Sequence, residues 1–181
     1  MTATWYSKGD EAIHATVKRV MQKHFKRLHD EELTVDVMIA RREEGPPLKV
    51  RGRQALACIR ITSLKERAFG RADVEITIDG ESMPSWSEKR TQAVIHHELM
   101  HLELTFSDKD GKVVRDDLDR PKLKMRGHDY EFGWFAETAR VFGDDSFEVS
   151  QVHGLVSDCS FVKQLMLPGM EEFESAEVGA A

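Results

Sequence analysis

Between Asp10 and Leu28 the apolar residues Ile13, Val17, Val20, Met21, Phe25 and Leu28 return at helical spacing, while Lys18, Arg19, Lys23, Lys26 and Arg27 take the opposite side. A single apolar stripe of this kind predicts a surface helix packed along one face. His24 falls inside the stripe and reads as a packed residue, not a ligand. The period then changes to two. Leu33, Val35, Val37 and Ile39 alternate with Thr34, Asp36, Met38 and Ala40, predicting a half-buried strand. Glu43-Glu44-Gly45-Pro46-Pro47 reads as a turn, and a second strand is expected near Ala55–Thr62. A third alternates Val74, Ile76 and Ile78 with Glu75 and Thr77 and stops at Asp79-Gly80.

A second helix is expected over residues 86 to 104. Ser85-Trp86-Ser87-Glu88 has the form of a capping box, with Ser85 as N-cap, and Pro84 closes the preceding segment. Beyond it the chain is irregular. Leu104–Phe106 and Lys112-Val113-Val114 flank the turn Ser107–Gly111 as a hairpin, and Pro121–Arg126 reads as a short extended piece. Gly127-His128-Asp129 then opens a helix carrying Phe132, Phe135, Ala136, Ala139 and Val141. Phe147–Leu167 has little periodicity. The chain reads as one domain over residues 1–167, followed by an acidic, small-residue-rich tail, 168–181, expected to be disordered.

The chemistry concentrates in His96-His97-Glu98-Leu99-Met100-His101, which contains H-E-x-x-H. On a helix, positions i and i+4 share a face, so His97 and His101 converge on one ion, whereas His96 points about 100° away and is a bystander. Two imidazoles suit Zn²⁺, and Glu98 is placed to act as general base toward the water that such a metal activates. The competing reading is two packed or surface histidines. The helix start and the apolar residues Ala93, Val94, Leu99, Met100 and Leu102 weigh against it, because burying unpaired imidazoles is costly.

A catalytic zinc needs a third protein ligand. The metzincin pattern would place Gly at 104 and His at 107; this chain has Leu104 and Ser107. A carboxylate from a following helix, Glu131 or Glu137, is one alternative. His128 is the better candidate, because it follows a Gly and opens an apolar helix able to pack on the motif helix. Asp129 and His153 are the remaining rivals; His153 lies in an expected turn.

Composition and charge narrow the picture a little. Hydrophobic residues make up 40% and charged residues 32%, as in ordinary globular proteins, and no stretch is long and apolar enough to span a membrane. The N-terminus lacks the apolar core of a secretory signal, and the two cysteines, Cys58 and Cys159, have no C-x-x-C partner, so a reducing cytoplasm is expected. The net charge of −6 is uneven: residues 1–71 carry 15 Lys/Arg against 9 Asp/Glu, and the rest is strongly acidic. A basic front half could meet nucleic acid, although a solvated helix face explains it as well. Asp116, Asp117 and Asp119 form an acidic rim without the spacing of a calcium loop.

The combination of His96-His97-Glu98-Leu99-Met100-His101 with Arg120-Pro121-Lys122-Leu123-Lys124-Met125-Arg126-Gly127-His128-Asp129-x-x-Phe132 resembles the family described as "putative phage metallopeptidase" and, more widely, the SprT-like (Spartan-type) zincins. The resemblance spans roughly residues 10–143. It implies an α+β, minimal zincin-like domain: a helix, a small mixed sheet, the motif helix and a ligand-bearing helix. It also implies zinc on His97, His101 and His128, with Glu98 catalytic. The expected function is zinc-dependent hydrolysis of a protein or peptide substrate. In zincins the strand before the motif helix is often an edge to which a peptide adds, which directs attention to Val74–Ile78. The alternative is a zinc-stabilised module that binds nucleic acid or a host protein and hydrolyses little.

Overall fold

A computed structural model describes residues 3–50, 52–128, 136–145 and 147–158. The chain forms two compact units, Met1–His128 and Asp129–Ala181.

In the first unit the expected amphipathic helix is present but broken. Helix α1 runs Glu11–His24, with the Asp10 carboxylate accepting from the Ile13 N–H at 2.9 Å. At Phe25 the backbone leaves the helical region (φ −125°, ψ 53°), and a short helix α2, Lys26–Asp30, follows. Ile13, Val17, Val20, Met21 and Leu28 are buried, as the stripe requires. His24 is exposed at the end of α1, where its ring stands edge-on to His96.

A strand not anticipated from the sequence, β1 (Trp5–Lys8), precedes α1. It is exposed along its whole length, so it carries no alternation to read. The three expected strands are β2 (Val35–Arg41), β5 (Ala57–Ile61) and β6 (Val74–Asp79); a small ribbon of β3 (Lys49–Val50) and β4 (Arg53–Gln54) lies between the first two in sequence. The sheet order is β1-β2-β6-β5, with β2 and β6 parallel and the other pairs antiparallel. Strand β6 is therefore interior and not an edge. Val74, Ile76 and Ile78 are fully buried, and Thr77 and Asp79 are buried as well, so both of its sides are covered. The edge beside it is β5.

The opposite side of the sheet is held by charge pairing. Glu75 on β6 accepts from Arg60 on β5 at 3.0 Å and from Arg71 at 2.5 Å, and Arg71 also bonds Asp36 on β2 at 2.9 Å. Helix α3 (Leu64–Ala68) opens with a capping box of Ser63 and Glu66, and Glu66 adds a second partner for Arg60. Arg60 and Arg71, two of the front half's cations, are thus neutralised within the fold.

The turn out of β6 is set by Asp79. Its buried carboxylate accepts the N–H groups of Glu81 and Ser82 at 2.9 and 3.1 Å. Gly80 must be glycine here, since a Cβ would lie 2.5 Å from Ile39 Cγ2 and 3.0 Å from the Ala40 carbonyl. A 3-10 turn, Met83–Ser85, begins with Pro84 at an early position, and Trp86 is extended. Helix α4 therefore starts later than predicted, at Glu88, with Ser87 as N-cap accepting from Arg90 N–H at 3.2 Å; Ser85 donates instead to the Ser82 carbonyl.

Helix α4 also ends earlier, at Met100, with His101 as its C-cap. Residues 102–104, expected to be helical, form strand β7 (Leu102–Leu104), which pairs antiparallel with β8 (Leu123–Met125). Burying Leu102 and Leu104 two apart suits a strand better than a helix. The predicted hairpin lies between them: Phe106 bridges Val113, and Val114 N–H bonds the Thr105 carbonyl at 2.8 Å. The far end of this meander is tied to the sheet. Arg120 makes two bonds to buried Asp73 (Nε at 3.1 Å, Nη2 at 2.5 Å) and one to the Glu32 carbonyl, while Arg67 pairs with Asp116. Asp116 also accepts the Leu118 and Arg120 N–H groups, so its carboxylate is committed to the loop itself.

The second unit contains α5 (Ala136–Phe142), a 3-10 turn at Gly143–Asp145 and α6 (Phe147–Asp158). The helix expected to open at Gly127-His128-Asp129 does not include its first two residues: Gly127 and His128 follow β8 without helical structure, and residues 129–135 lie outside the described residues, as does the 168–181 tail. Helix α6 replaces the aperiodic segment expected there. Val149, Val152, Leu155 and Val156 do repeat at helical spacing, a signal diluted by β-branched residues and Gly154. His153 sits on this helix and not in a turn.

Burial raises the Asp73 carboxyl, but the bonds from Arg120 and Thr34 outweigh it and hold the group below its ordinary 3.8. Its contribution to stability is thus complete above pH 3.8 and is lost as acid carries the pH down through the lower native value. Asp73→Ala is expected to cost about 3 kcal/mol at neutral pH, because it leaves the Arg120 guanidinium without its partner. Urea unfolding should show that loss, and the gap to wild type should narrow below pH 3.8.

Candidate metal centre

His97, near the end of α4, and His101, its C-cap, stand one turn apart, with ring centroids 5.2 Å from each other. The pairing of β7 with β8 returns the chain past the end of α4, so that His128, three residues beyond Met125, closes a triangle. Its ring centroid is 5.1 Å from that of His97 and 4.6 Å from that of His101. One nitrogen from each of the three rings lies within 4.8 Å of the others.

The donor set fits a zinc ion. Bonds of about 2.0–2.1 Å in tetrahedral geometry place ligand nitrogens about 3.3 Å apart. His97 Nε2 and His128 Nε2 are 3.2 Å apart. His101 Nδ1 lies 2.8 Å from the Arg126 carbonyl oxygen. A proton on Nδ1 donates to that carbonyl and leaves Nε2 with its lone pair free for a metal, the usual way a ligating histidine has its tautomer chosen. The Arg126 N–H in turn bonds the His101 carbonyl at 2.7 Å. Burial, followed by the neighbouring His101, His128 and His96, holds the His97 imidazole below its ordinary pKa. Neutral rings are the form that binds metal.

Glu98 is buried, with 6% of its surface exposed. Its carboxylate accepts the backbone N–H of Ile59 on β5 and interacts with His101. That amide faces away from the sheet. Leu56 O and Thr62 N bond to β6, so in an antiparallel pair the even-numbered residues of β5 face β6 and the odd-numbered ones direct their backbone groups outward. Burial raises the Glu98 carboxyl to about 7, against the opposing influence of His101 and the Ile59 N–H. On the same strand, burial and then the Glu98 carboxylate push the Cys58 thiol up.

The four residues singled out from the motif and its sequel, His97, Glu98, His101 and His128, are brought together. His96 is set apart as expected and packs on Phe25 with ring centroids 4.9 Å apart. Of the rival ligands, Asp129 and Glu131 lie outside the described residues, and Glu137 pairs with Arg140 at 2.5 Å within α5. The sequence reading missed two backbone groups, the Arg126 carbonyl and the Ile59 N–H. No residue type marks a backbone acceptor or donor; only the strand register does.

A family model described as "putative phage metallopeptidase" matches residues 5–159. No curated protein and no solved structure matches the chain.

The metal-free protein offers a direct check on Glu98. Its native value of about 7 exceeds the ordinary 4.5, so the native state holds this proton more tightly than the unfolded chain. The stability it contributes is complete below pH 4.5 and is lost as the pH rises to about 7. Glu98→Gln keeps an oxygen for the Ile59 N–H and has no proton to lose. After chelation, the variant should exceed wild type in stability by on the order of 3 kcal/mol at about pH 8 and by little at about pH 4. Urea titrations at the two pH values measure this; a gap independent of pH would show that Glu98 does not titrate there.

Proposed function

The chain belongs to the family described as "putative phage metallopeptidase", and from that premise we propose that it is a zinc-dependent endopeptidase in which His97, His101 and His128 hold the metal and Glu98 is the general base. The observation that carries this reading is the triangle of three imidazoles beside a buried, partly desolvated carboxylate. Three protein ligands leave a tetrahedral ion one open position, as hydrolytic zinc sites require, whereas purely structural sites are closed by four. When bound, zinc supplies Lewis acidity toward the attacking water and the scissile carbonyl.

The chain's own residues supply the rest. Glu98 lies between His101 and the outward amide of Ile59, where it can take a proton from the attacking water and return it to the departing amine. A carboxyl whose burial keeps its proton affinity high is suited to both tasks. The Arg126 carbonyl fixes the His101 ring, and the β7–β8 pairing fixes the approach of His128. Strand β5 takes the role expected of an edge: an extended substrate can pair with the outward groups of Ala57 and Ile61 on either side of Ile59. Strand β8 comes close to β5 and forms a second wall. The SprT-like subgroup is part of this proposal, supported by a third histidine from a separate segment after the motif helix. A cytoplasmic setting is proposed as well, in keeping with a free Cys58 thiol. Among the described residues no helix is long and apolar enough to cross a membrane.

Three measurements test the reading. Protein purified without added metal, and without a metal-binding tag, should carry about one zinc per chain, and Glu98→Gln should keep that zinc while losing at least about 100-fold in the rate of cleavage of an unfolded protein substrate. Wild-type cleavage by the variant would remove Glu98 as the base. His128→Ala should weaken zinc binding at least about tenfold in competition with a chelating dye. Unchanged affinity would exclude His128 as a ligand.

A further inference from the structure

Beside the metal centre, the α1–α2 corner and the β7–β8 ribbon enclose a groove of about 470 Å³. Its floor is apolar: Leu28, Leu102 and Leu104, each nearly buried, with the partly buried Phe25 lining it as well. Phe106 forms part of its wall and leaves 44% of its surface in water. The rim has the opposite character. Lys26, Arg27 and Lys124 stand on it, and the Arg27 guanidinium lies 5.9 Å from the centre of the Phe106 ring. The single acidic residue of the lining, Glu103, is paired with Lys124 at 2.9 Å. This positive rim occurs on a chain whose net charge is −6.

We propose that this groove is a docking site for an acidic segment of a protein partner, with an aromatic or branched apolar side chain seated on the leucine floor between flanking carboxylates. The two halves of the argument are the apolar floor and the charge of the rim. A nucleic acid would meet Lys26, Arg27 and Lys124 but would leave the apolar lining, Phe106 above all, unused. An uncharged apolar ligand would leave the rim unused. Acidic residues around an apolar anchor satisfy both, and the half-exposed Phe106 offers the anchor an edge to pack on. Leu102 directly follows His101, so a segment held here lies alongside the metal centre. For the peptidase proposed above, the groove would then retain acidic protein substrates beside the histidines. That consequence rests on the peptidase reading, whereas docking itself does not.

The test is equilibrium binding of the full chain to a fluorescein-labelled peptide of sequence GEELFEEG, followed by anisotropy, with the peptide confirmed intact by mass spectrometry. Loss of hydrolysis does not move this readout, so failure of the peptidase reading and failure of docking are separable. The expected results are saturable binding that weakens with salt, weakening of about tenfold in the double variant Lys26→Glu, Arg27→Glu, and a smaller loss in Phe106→Ala. A peptide with Lys in place of Glu, and one with Ala in place of Leu-Phe, should bind at least about tenfold more weakly. Absence of binding would overturn the proposal, as would equal binding of the lysine peptide or unchanged affinity in both variants. Displacement of the peptide by a labelled oligothymidylate that binds more tightly would make the groove a nucleic-acid surface and overturn it as well.

Discussion

The reciprocal bonding of His101 and Arg126 joins the two parts of the site. The His101 ring donates to the Arg126 carbonyl, and the Arg126 N–H returns a bond to the His101 carbonyl. One residue thereby ends the motif helix, begins the β7–β8 ladder and presents a metal-binding nitrogen. Because the next residues pair in register, Leu102 with Met125 and Leu104 with Leu123, the position of His128 follows from that of His101. The distance between them does not depend on the 26 residues of intervening chain. It depends on a few ladder bonds and one imidazole bond, all close to the ion they would serve.

The intervening chain still needs to be held, and charge does much of this. Asp73 at the start of β6 and Asp116 in the loop are nearly buried, and each is matched by an arginine. A buried carboxylate without its arginine would be costly, so these pairs specify one placement of the loop more than they add net stability. In the sequence Asp116, Asp117 and Asp119 read as an acidic rim. For Asp116 the fold gives a different use, as a cap for its own turn and a partner for Arg67.

Glu98 shows how one backbone group can shape a catalytic candidate. The outward amide of Ile59 exists because β5 borders the sheet, with β6 on one side of it and no strand of that sheet on the other among the described residues. An interior β5 would have bonded its Ile59 N–H to another strand. The edge position therefore provides both a place for an extended peptide and a donor that holds the carboxylate near the histidines.

The local elements were legible where a single periodicity ran uninterrupted. The stripe from Ile13 to Leu28 and the apolar positions of residues 33–39 and 74–78 record which residues avoid water, and Ile13, Val17, Val20, Leu28, Leu33, Val37, Ile39, Val74, Ile76 and Ile78 are buried accordingly; that Ala40 and Thr77 are buried too was not legible. H-E-x-x-H was legible for a similar reason, since helical geometry alone brings positions 97 and 101 to one side. Three features were decided only by tertiary structure. The helix start moved to Glu88 because Asp79 and Pro84 direct a 3-10 turn first, and the helix stopped at Met100 because Leu102 and Leu104 had a partner strand twenty residues away. The edge passed from β6 to β5 because strand order depends on which neighbours exclude water from each side. His128 could be nominated from its Gly and its place in the chain, but its arrival beside His97 required the β7–β8 register. Sequence carries the preference of each segment for water or for a helix or strand; which segments meet is settled by the long-range pairings that bury them together.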